Sequence, residues 1–296
     1  MTSMQFLGIY REVLHSPERE FDDHEILRLT GKSLSARGFN VMLKKPEDVY
    51  FQKDEWHKTP PAVAFVMCEQ TRMIEMLAGW ESKGTIVINP TRGILNQYRY
   101  RMLPLLQSAN VPVPKSEIVS TDPRHPFDAV QHFNKCGSAQ VWVKRGDVHN
   151  TGKGDVFRTN KPEEAKEALD SFNSRGIEQA VFQEHIEGDL IKFYGVAGLV
   201  EHREKTAWFK WFYHKNQQLK NYKFNESHLM RITQAAARCM DLKVYGGDCI
   251  VAANGEVYVI DINAWPSFAL FRDEASASIA EYLASEISET AESSLL

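Results

Sequence analysis

The sequence predicts a mixed architecture: an α/β domain built on a parallel βαβ sheet, followed by two α+β subdomains. Three observations carry this reading. Over the first hundred residues, short apolar runs alternate with amphipathic helical stretches, the rhythm of a parallel sheet. The pattern then changes to one helix and a Pro-punctuated extended segment, Val111 to Pro114, which marks passage into a second unit. Beyond it, strands and helices recur without strict alternation. The expected divisions are 1–103, 104–182 and 183–296.

Taken in order, "QFLGIY", "FNVMLKK", "AVAFVM" and "TIVINP" read as strands, with helices at "DDHEILRLTGKSLSARG" and "EQTRMIEMLAGWESKG". Gly38 and Gly84 fall just past the helical patterns, where a left-handed C-cap is wanted. In the second unit "SEIVST", "QVWVKR", "DVFRT" and "QAVFQEHI" are strands, with helices at "PFDAVQHFNKC" and "PEEAKEALDSFNSRG". The last third places strands at "LIKFYGVAGLVEH", "TAWFKWFYH", "DCIVAAN" and "VYVIDIN", and helices at "NESHLMRITQAAARCMD" and around "ASASIAEYLASEIS".

Composition narrows the class of function. At 296 residues and 43% hydrophobic, the chain can bury a substantial core, and a formal charge of -4 argues against a generalised nucleic-acid binder. Its four cysteines lie far apart with no CxxC pair, so neither a zinc site nor a disulfide framework is indicated and a reducing cytoplasm fits best. No run approaches the ~18 apolar residues of a membrane span, and the N-terminus lacks an apolar signal core. A small anionic molecule is the expected partner, with no nucleic acid and no membrane; homo-oligomerisation is left open.

Chemistry enters with "YVIDINAWPS", residues 258–267. Side chains alternate faces along a strand, so Asp261 and Asn263 point the same way. The stretch "DCIVAANGEVYVIDIN" reads as a hairpin turning at Asn254-Gly255, which brings Asp248 beside them. Three oxygen donors on one rigid edge suit Mg²⁺, which keeps several waters and shares its shell with substrate phosphates. In isolation such residues are more often plain turn and strand-end groups; their context decides.

Lys144 ends an apolar strand, and Gly146, Gly152 and Gly154 populate the loop behind it. A strand lysine meets phosphate as a point charge, and loop N–H groups can cover the same anion. In "VFQEHIEGDLIKFYGV" an extended stretch offers main-chain groups to the edge of adenine, Glu187 and Asp189 are candidates for ribose hydroxyls, and Lys192 could face the phosphates. From Glu201 to Phe224 six Lys/Arg (Arg203, Lys205, Lys210, Lys215, Lys220, Lys223) stand against two Glu (Glu201, Glu204), a local positive field in an acidic chain. Of these, Lys210 is placed in the site. His149 is most simply a solvated loop residue. Arg11 and His15 follow the first strand, where a parallel sheet presents its ligand crevice. Cys249 is expected in the core.

In this order the motifs resemble the ATP-grasp superfamily, over roughly residues 85 to 285. Members clamp ATP between two α+β subdomains, with a strand lysine and Gly loop, a "Q-E-x-I-x-G" hinge, an Asp, and an (Asp/Glu)-x-Asn pair. The resemblance implies that Lys144 binds phosphate, that Gln183, Glu184, His185 and Ile186 form the adenine hinge, and that Asp189 takes the ribose. It also implies that Lys210 lies under the phosphates and that Asp248, Asp261 and Asn263 hold Mg²⁺. Two departures stand out. An Asp-Lys pair common before the small module is here "YRYRM", so Arg99 or Arg101 must replace it; Pro266-Ser267 stands where many ligases have Pro-Gly.

Such a site implies in-line phosphoryl transfer by positioning and electrostatics, with Lys144, Lys192 and Lys210 as the catalytic cations. The first reading is a carboxylate–amine ligase acting through an acyl phosphate. The alternative is a small-molecule kinase of the inositol polyphosphate type, favoured locally by "VIDINAWP" and "LIKFYGV". A non-catalytic nucleotide binder is third.

Overall fold

A computed structural model describes residues 5–16, 20–125, 128–137, 140–148, 152–198 and 208–293. His149, Glu201, Arg203, Glu204 and Lys205 lie outside them. The first sheet is formed by β1 (Gln5–Ile9), β2 (Asn40–Lys44), β3 (Val63–Val66) and β4 (Ile86–Ile88), all parallel, in the order β2-β1-β3-β4. Helices α1 (Glu20–Ala36), α2 (Pro46–Phe51), α3 (Lys53–Lys58) and α4 (Thr71–Glu81) join these strands, and α2 and α3 were not anticipated from the sequence. Strand alternation divides the sheet's apolar side chains: Phe6 and Phe65 pack with Ile26 and Leu27 of α1, whereas Leu7 and Val66 pack in the cluster that holds Leu77 and Trp80 of α4. Gly38 and Gly84 adopt φ of 90° and 93°, the left-handed geometry expected of them.

Two short helices, α5 (Thr91–Asn96) and α6 (Arg99–Ser108), lead to the second sheet. The boundary expected at 103 therefore falls inside a helix. That sheet holds β5 (Ser116–Ser120), β6 (Val141–Arg145), β7 (Val156–Thr159) and β8 (Gln179–Glu184), antiparallel in the order β5-β8-β6-β7. Its helices α7 (Ala129–Cys136) and α8 (Pro162–Ser174) cover one face, where Val143, Phe172 and Phe182 are buried. Trp142, Lys144 and Gln183 alternate with those residues and so occupy the other face.

The third sheet, β10-β9-β11-β12, is antiparallel: β9 (Gly188–Val196), β10 (Trp208–Tyr213), β11 (Val244–Ala252) and β12 (Val257–Ala264). On one face Ile191, Cys249, Val259 and Ile262 share a core with Leu229 and Ala236 of α9 (Glu226–Cys239). The other face carries Lys192, Asp248, Asp261 and Asn263. A last helix, α10 (Arg272–Ser293), returns to the first unit: its Ile279 and Leu283 join Ile26 and Leu27 of α1. A second tie is Asn89, fully buried, whose side-chain amide donates to Val244 O at 2.7 Å and accepts from Val244 N at 2.9 Å. It completes the end of β11 as a neighbouring strand would. Among the described residues no helix is long and apolar enough to cross a membrane.

Candidate functional site

The metal-type cluster depends on a fault in a hairpin. From the turn at Gly255, Val251 opposes Val257 and Cys249 opposes Val259, and an uninterrupted ladder would then set Asp248 against Ile260. That register would turn Asp261 and Asn263 to the far face. A β-bulge between Asp248 and Cys249 shifts the pairing instead, so that Asp248 opposes Asp261 and Gly246 opposes Asn263. Burial follows the new phase: Ile260 and Asp261 are both half-buried in succession, while Val259 and Ile262 are in the core. The strand bent by the bulge presents its Ile260 carbonyl to Lys144 Nζ at 3.3 Å.

Lys192 lies opposite Asp248 on β9, and its Nζ is 2.7 Å from Asp248 Oδ1. Asn263 Oδ1 is buried without a hydrogen-bond partner among the described residues, an expensive state for an amide oxygen unless a ligand completes it. The set of two carboxylates and this orphaned carbonyl fits a hard divalent cation. Among the described residues no group of three or more His, Cys, Asp and Glu is placed to hold a metal. Gly246 and Gly247 let the backbones close in: a Cβ on Gly247 would run into the Asp261 carbonyl and one on Gly246 would lie 2.6 Å from Pro266 Cγ.

The third face of the cluster comes from α6. Arg99, 3% exposed, donates from Nη2 to Asp261 Oδ2 at 3.1 Å and from Nη1 to the carbonyls of Arg145 (3.2 Å) and Val148 (3.1 Å). Of the two arginines in "YRYRM", it is therefore Arg99 that reaches the site. Gln97, which the sequence reading missed, accepts from Ala264 N at 3.1 Å and fixes the end of β12. Its only sequence signal was proximity to Arg99.

Lys144 is buried and donates to Gln183 Oε1 at 2.7 Å. Burial, then the charge of Arg99, pulls its pKa down from 10.5 to about 8, with Asp261 and Asp248 opposing. A cavity of about 360 Å³ runs from Lys144 and Asp248 along the 183–188 segment. Its inner end brings the cations Lys144 and Arg99 up to the carboxylates Asp248 and Asp261, and its walls include Ile186, Leu190, Ile250 and Ile260. At the outer end Trp142 Nε1 donates to His185 Nδ1 at 3.2 Å, and His185 Nε2 lies between Arg158 Nη1 (2.9 Å) and Glu187 Oε1 (3.1 Å). That imidazole pulls the Glu187 pKa below its ordinary value. Trp142 and Arg158 are further residues the sequence reading did not single out. Glu184 is tied to the residue that precedes β5, accepting from Lys115 N at 3.3 Å.

Two assigned residues are elsewhere. Asp189 is fully buried and both its oxygens are engaged, by Lys220 N at 2.6 Å and Tyr222 N at 2.9 Å. It stands three residues from Lys192 on a strand, hence on the opposite face, and cannot meet a ribose; of the acids in the 184–189 stretch, Glu187 borders the cavity. Lys210 shares the face of Lys192 but sits two pairs along the ladder, where Glu274 of α10 holds it at 2.8 Å over the Phe271 ring. It does not border the cavity that holds Lys144.

A second cavity, about 620 Å³, meets the first at Asp248. Arg11, His15, Lys192, Asn263 and Ser267 border it, which places Arg11 and His15 at the crevice of the first sheet as expected. Arg11 is engaged by Glu69 (2.9 Å), Asp23 (3.3 Å) and the Trp265 carbonyl (2.7 Å), and thereby locks the first sheet to the end of β12. A hydrogen bond to Glu69 raises the His15 pKa against the effect of burial. Cys249 is wholly buried, and burial pushes its thiol pKa well up, in keeping with the expected core position.

No family model and no curated protein matches the sequence. Solved structures do match in fold. The D-alanine-D-alanine ligase from Coxiella burnetii superposes with a TM-score of 0.69 at 11% identity, covering 99% of this chain and 100% of that one. A RimK domain ATP-grasp protein from Sphaerobacter thermophilus gives 0.64 at 15% identity, covering 94% and 99%. The ATP-grasp ligase PsnB complexed with minimal precursor gives 0.61 at 19% identity, covering 96% and 99%.

Proposed function

With the ATP-grasp fold as premise, we propose that this protein is an Mg²⁺·ATP-dependent carboxylate–amine ligase. The observation that carries the proposal is that two cavities share Asp248 in their lining, one with an apolar wall and an inner end where Lys144 and Arg99 stand beside Asp248 and Asp261, the other beside the orphaned Asn263 oxygen. The first suits a nucleoside triphosphate and the second an acceptor carboxylate.

Asp248, Asp261 and Asn263 would hold Mg²⁺. When bound, the ion neutralises charge on the transferring phosphoryl group. The residues of this chain do the rest. Lys144 and Lys192 face the developing negative charge from the two sheets, and Arg99 holds Asp261 and the base of the Gly loop in one geometry. The acceptor carboxylate oxygen attacks the γ-phosphorus, the bond to the β,γ-bridging oxygen breaks, and ADP leaves. The amine then attacks the acyl carbon, its C–O bond to phosphate breaks, and phosphate and a proton are released. No side chain becomes a covalent nucleophile.

The test is a screen of carboxylic acids with ATP and Mg²⁺ in the presence of hydroxylamine. A ligase yields a hydroxamate and free phosphate in equal amounts. Stoichiometric phosphorylation of an alcohol with no phosphate release would replace this reading with the kinase.

A further inference from the structure

Resting on the ligase reading, we infer that the turn at 214–217 reads a second anionic group on the acceptor, so that the acceptor is a diacid. The second cavity is bordered by three full cations, Arg11, Lys192 and Lys215, and two carboxylates, Asp23 and Asp248. Arg11 and Lys192 already have carboxylate partners. Lys215 has no ion pair among the described residues, and neither has its neighbour His214, which borders the same cavity. With Lys192 committed to the transfer end beside Asp248, the charge left for the far end of a ligand is that of the turn.

The turn is also built to stay in place. Strand β10 stops at Tyr213, leaving the β9 edge at Leu190 in need of a partner. His214 N donates to Leu190 O at 2.9 Å. The Gln217 side chain then acts as a substitute strand: Nε2 donates to Leu190 O at 2.7 Å and to His214 O at 3.0 Å, and Oε1 accepts from Leu190 N at 2.8 Å. Asn216 takes a left-handed φ of 63°, which Asn tolerates better than most residues. Buried Asp189 pins the continuation through Lys220 N and Tyr222 N. The bracing fixes the backbone of the turn, so that exposed Lys215 is presented at the cavity from a fixed position. One end of an acceptor would thus lie at Asp248 and Asn263 for transfer, and the other would meet Lys215, with Gln217 as a positioning residue.

Calorimetry in the presence of Mg²⁺ and a non-hydrolysable ATP analogue tests this with three probes of matched length: glutarate, 4-phosphonobutyrate and butyrate. Wild type should bind one of the two dianionic probes at least about tenfold more tightly than butyrate, and which of the two it prefers identifies the second group as carboxylate or phosphate. Lys215→Ala and Gln217→Ala should erase the preference, and Lys215→Arg should keep it. Equal binding of all three probes, or of none, overturns the inference, as does a preference that survives Lys215→Ala. The heat of the nucleotide analogue with Mg²⁺, measured first, reports separately on the ligase reading: its absence defeats that reading, while its presence with indifferent probes defeats only the diacid.

Discussion

Titration of Lys144 tests the proposed nucleotide cleft through a quantity the fold itself sets. Its pKa in the folded protein is about 8, against an ordinary 10.5. The ammonium is therefore about nine-tenths populated at pH 7 and about one-tenth at pH 9. If a triphosphate needs that charge, affinity for Mg²⁺ and a non-hydrolysable ATP analogue should be flat up to about pH 7 and fall about tenfold by pH 9. Calorimetry reads it directly. Lys144→Met, close in length and without charge, should bind more weakly and show no such slope. The same group leaves a mark on stability, with a defined sign. Because the folded pKa lies below the unfolded one, the unfolded chain holds more protons between about pH 8 and 10.5, and stability rises with pH across that window. At ~1.4 kcal/mol per pH unit the gap amounts to about 3 kcal/mol. Removing the charge relieves that penalty below pH 8 but strips a donor from Gln183 Oε1 and Ile260 O, worth about 1–3 kcal/mol. Lys144→Met should therefore differ from wild type by no more than about 2 kcal/mol at pH 7 in denaturant melts. A wild-type affinity that stays level from pH 7 to 9.5, or a slope that persists in Lys144→Met, would refute the reasoning.

Other substitutions separate site from scaffold. Asp261→Asn should lower ATP turnover by ~100-fold or more, and stability by about 2 kcal/mol because buried Arg99 loses a carboxylate; circular dichroism should remain native, and unchanged turnover would remove Asp261 from the metal set. Gly247→Ala should destabilise by ~3 kcal/mol in urea melts, since its Cβ meets the Asp261 carbonyl and lies 2.7 Å from the Phe193 ring. Asp189→Ala should cost ~2–4 kcal/mol by leaving two amides without acceptors, yet change nucleotide affinity less than twofold; a large loss of affinity with unchanged stability would restore a ribose role.

Much of this protein was legible in the chain. Apolar periodicity located the strands of all three sheets, because burial on one face or two leaves a local record in the sequence. The helices α2 and α3 escaped notice: neither is longer than six residues, and α3 buries no side chain, so little periodicity is written there. The D-x-N pair, the strand lysine and the 183–188 segment that borders the first cavity were visible as well, since each is a chemical type at a short spacing.

What no local pattern records is where separate segments meet. The side of the sheet that Asp261 and Asn263 occupy depended on one extra residue at Ile260, a pairing fault that only the partner strand reveals. Asp189 and Lys210 looked like ligands by composition, but alternation turned the first into the core and Glu274 from α10 claimed the second. Arg99 stands 162 positions from Asp261, and Arg11 stands 254 from Trp265. Residue types and local periods are properties of the chain itself; facing, register and long-range pairing arise only when distant segments compete for the same space, and that competition placed the site.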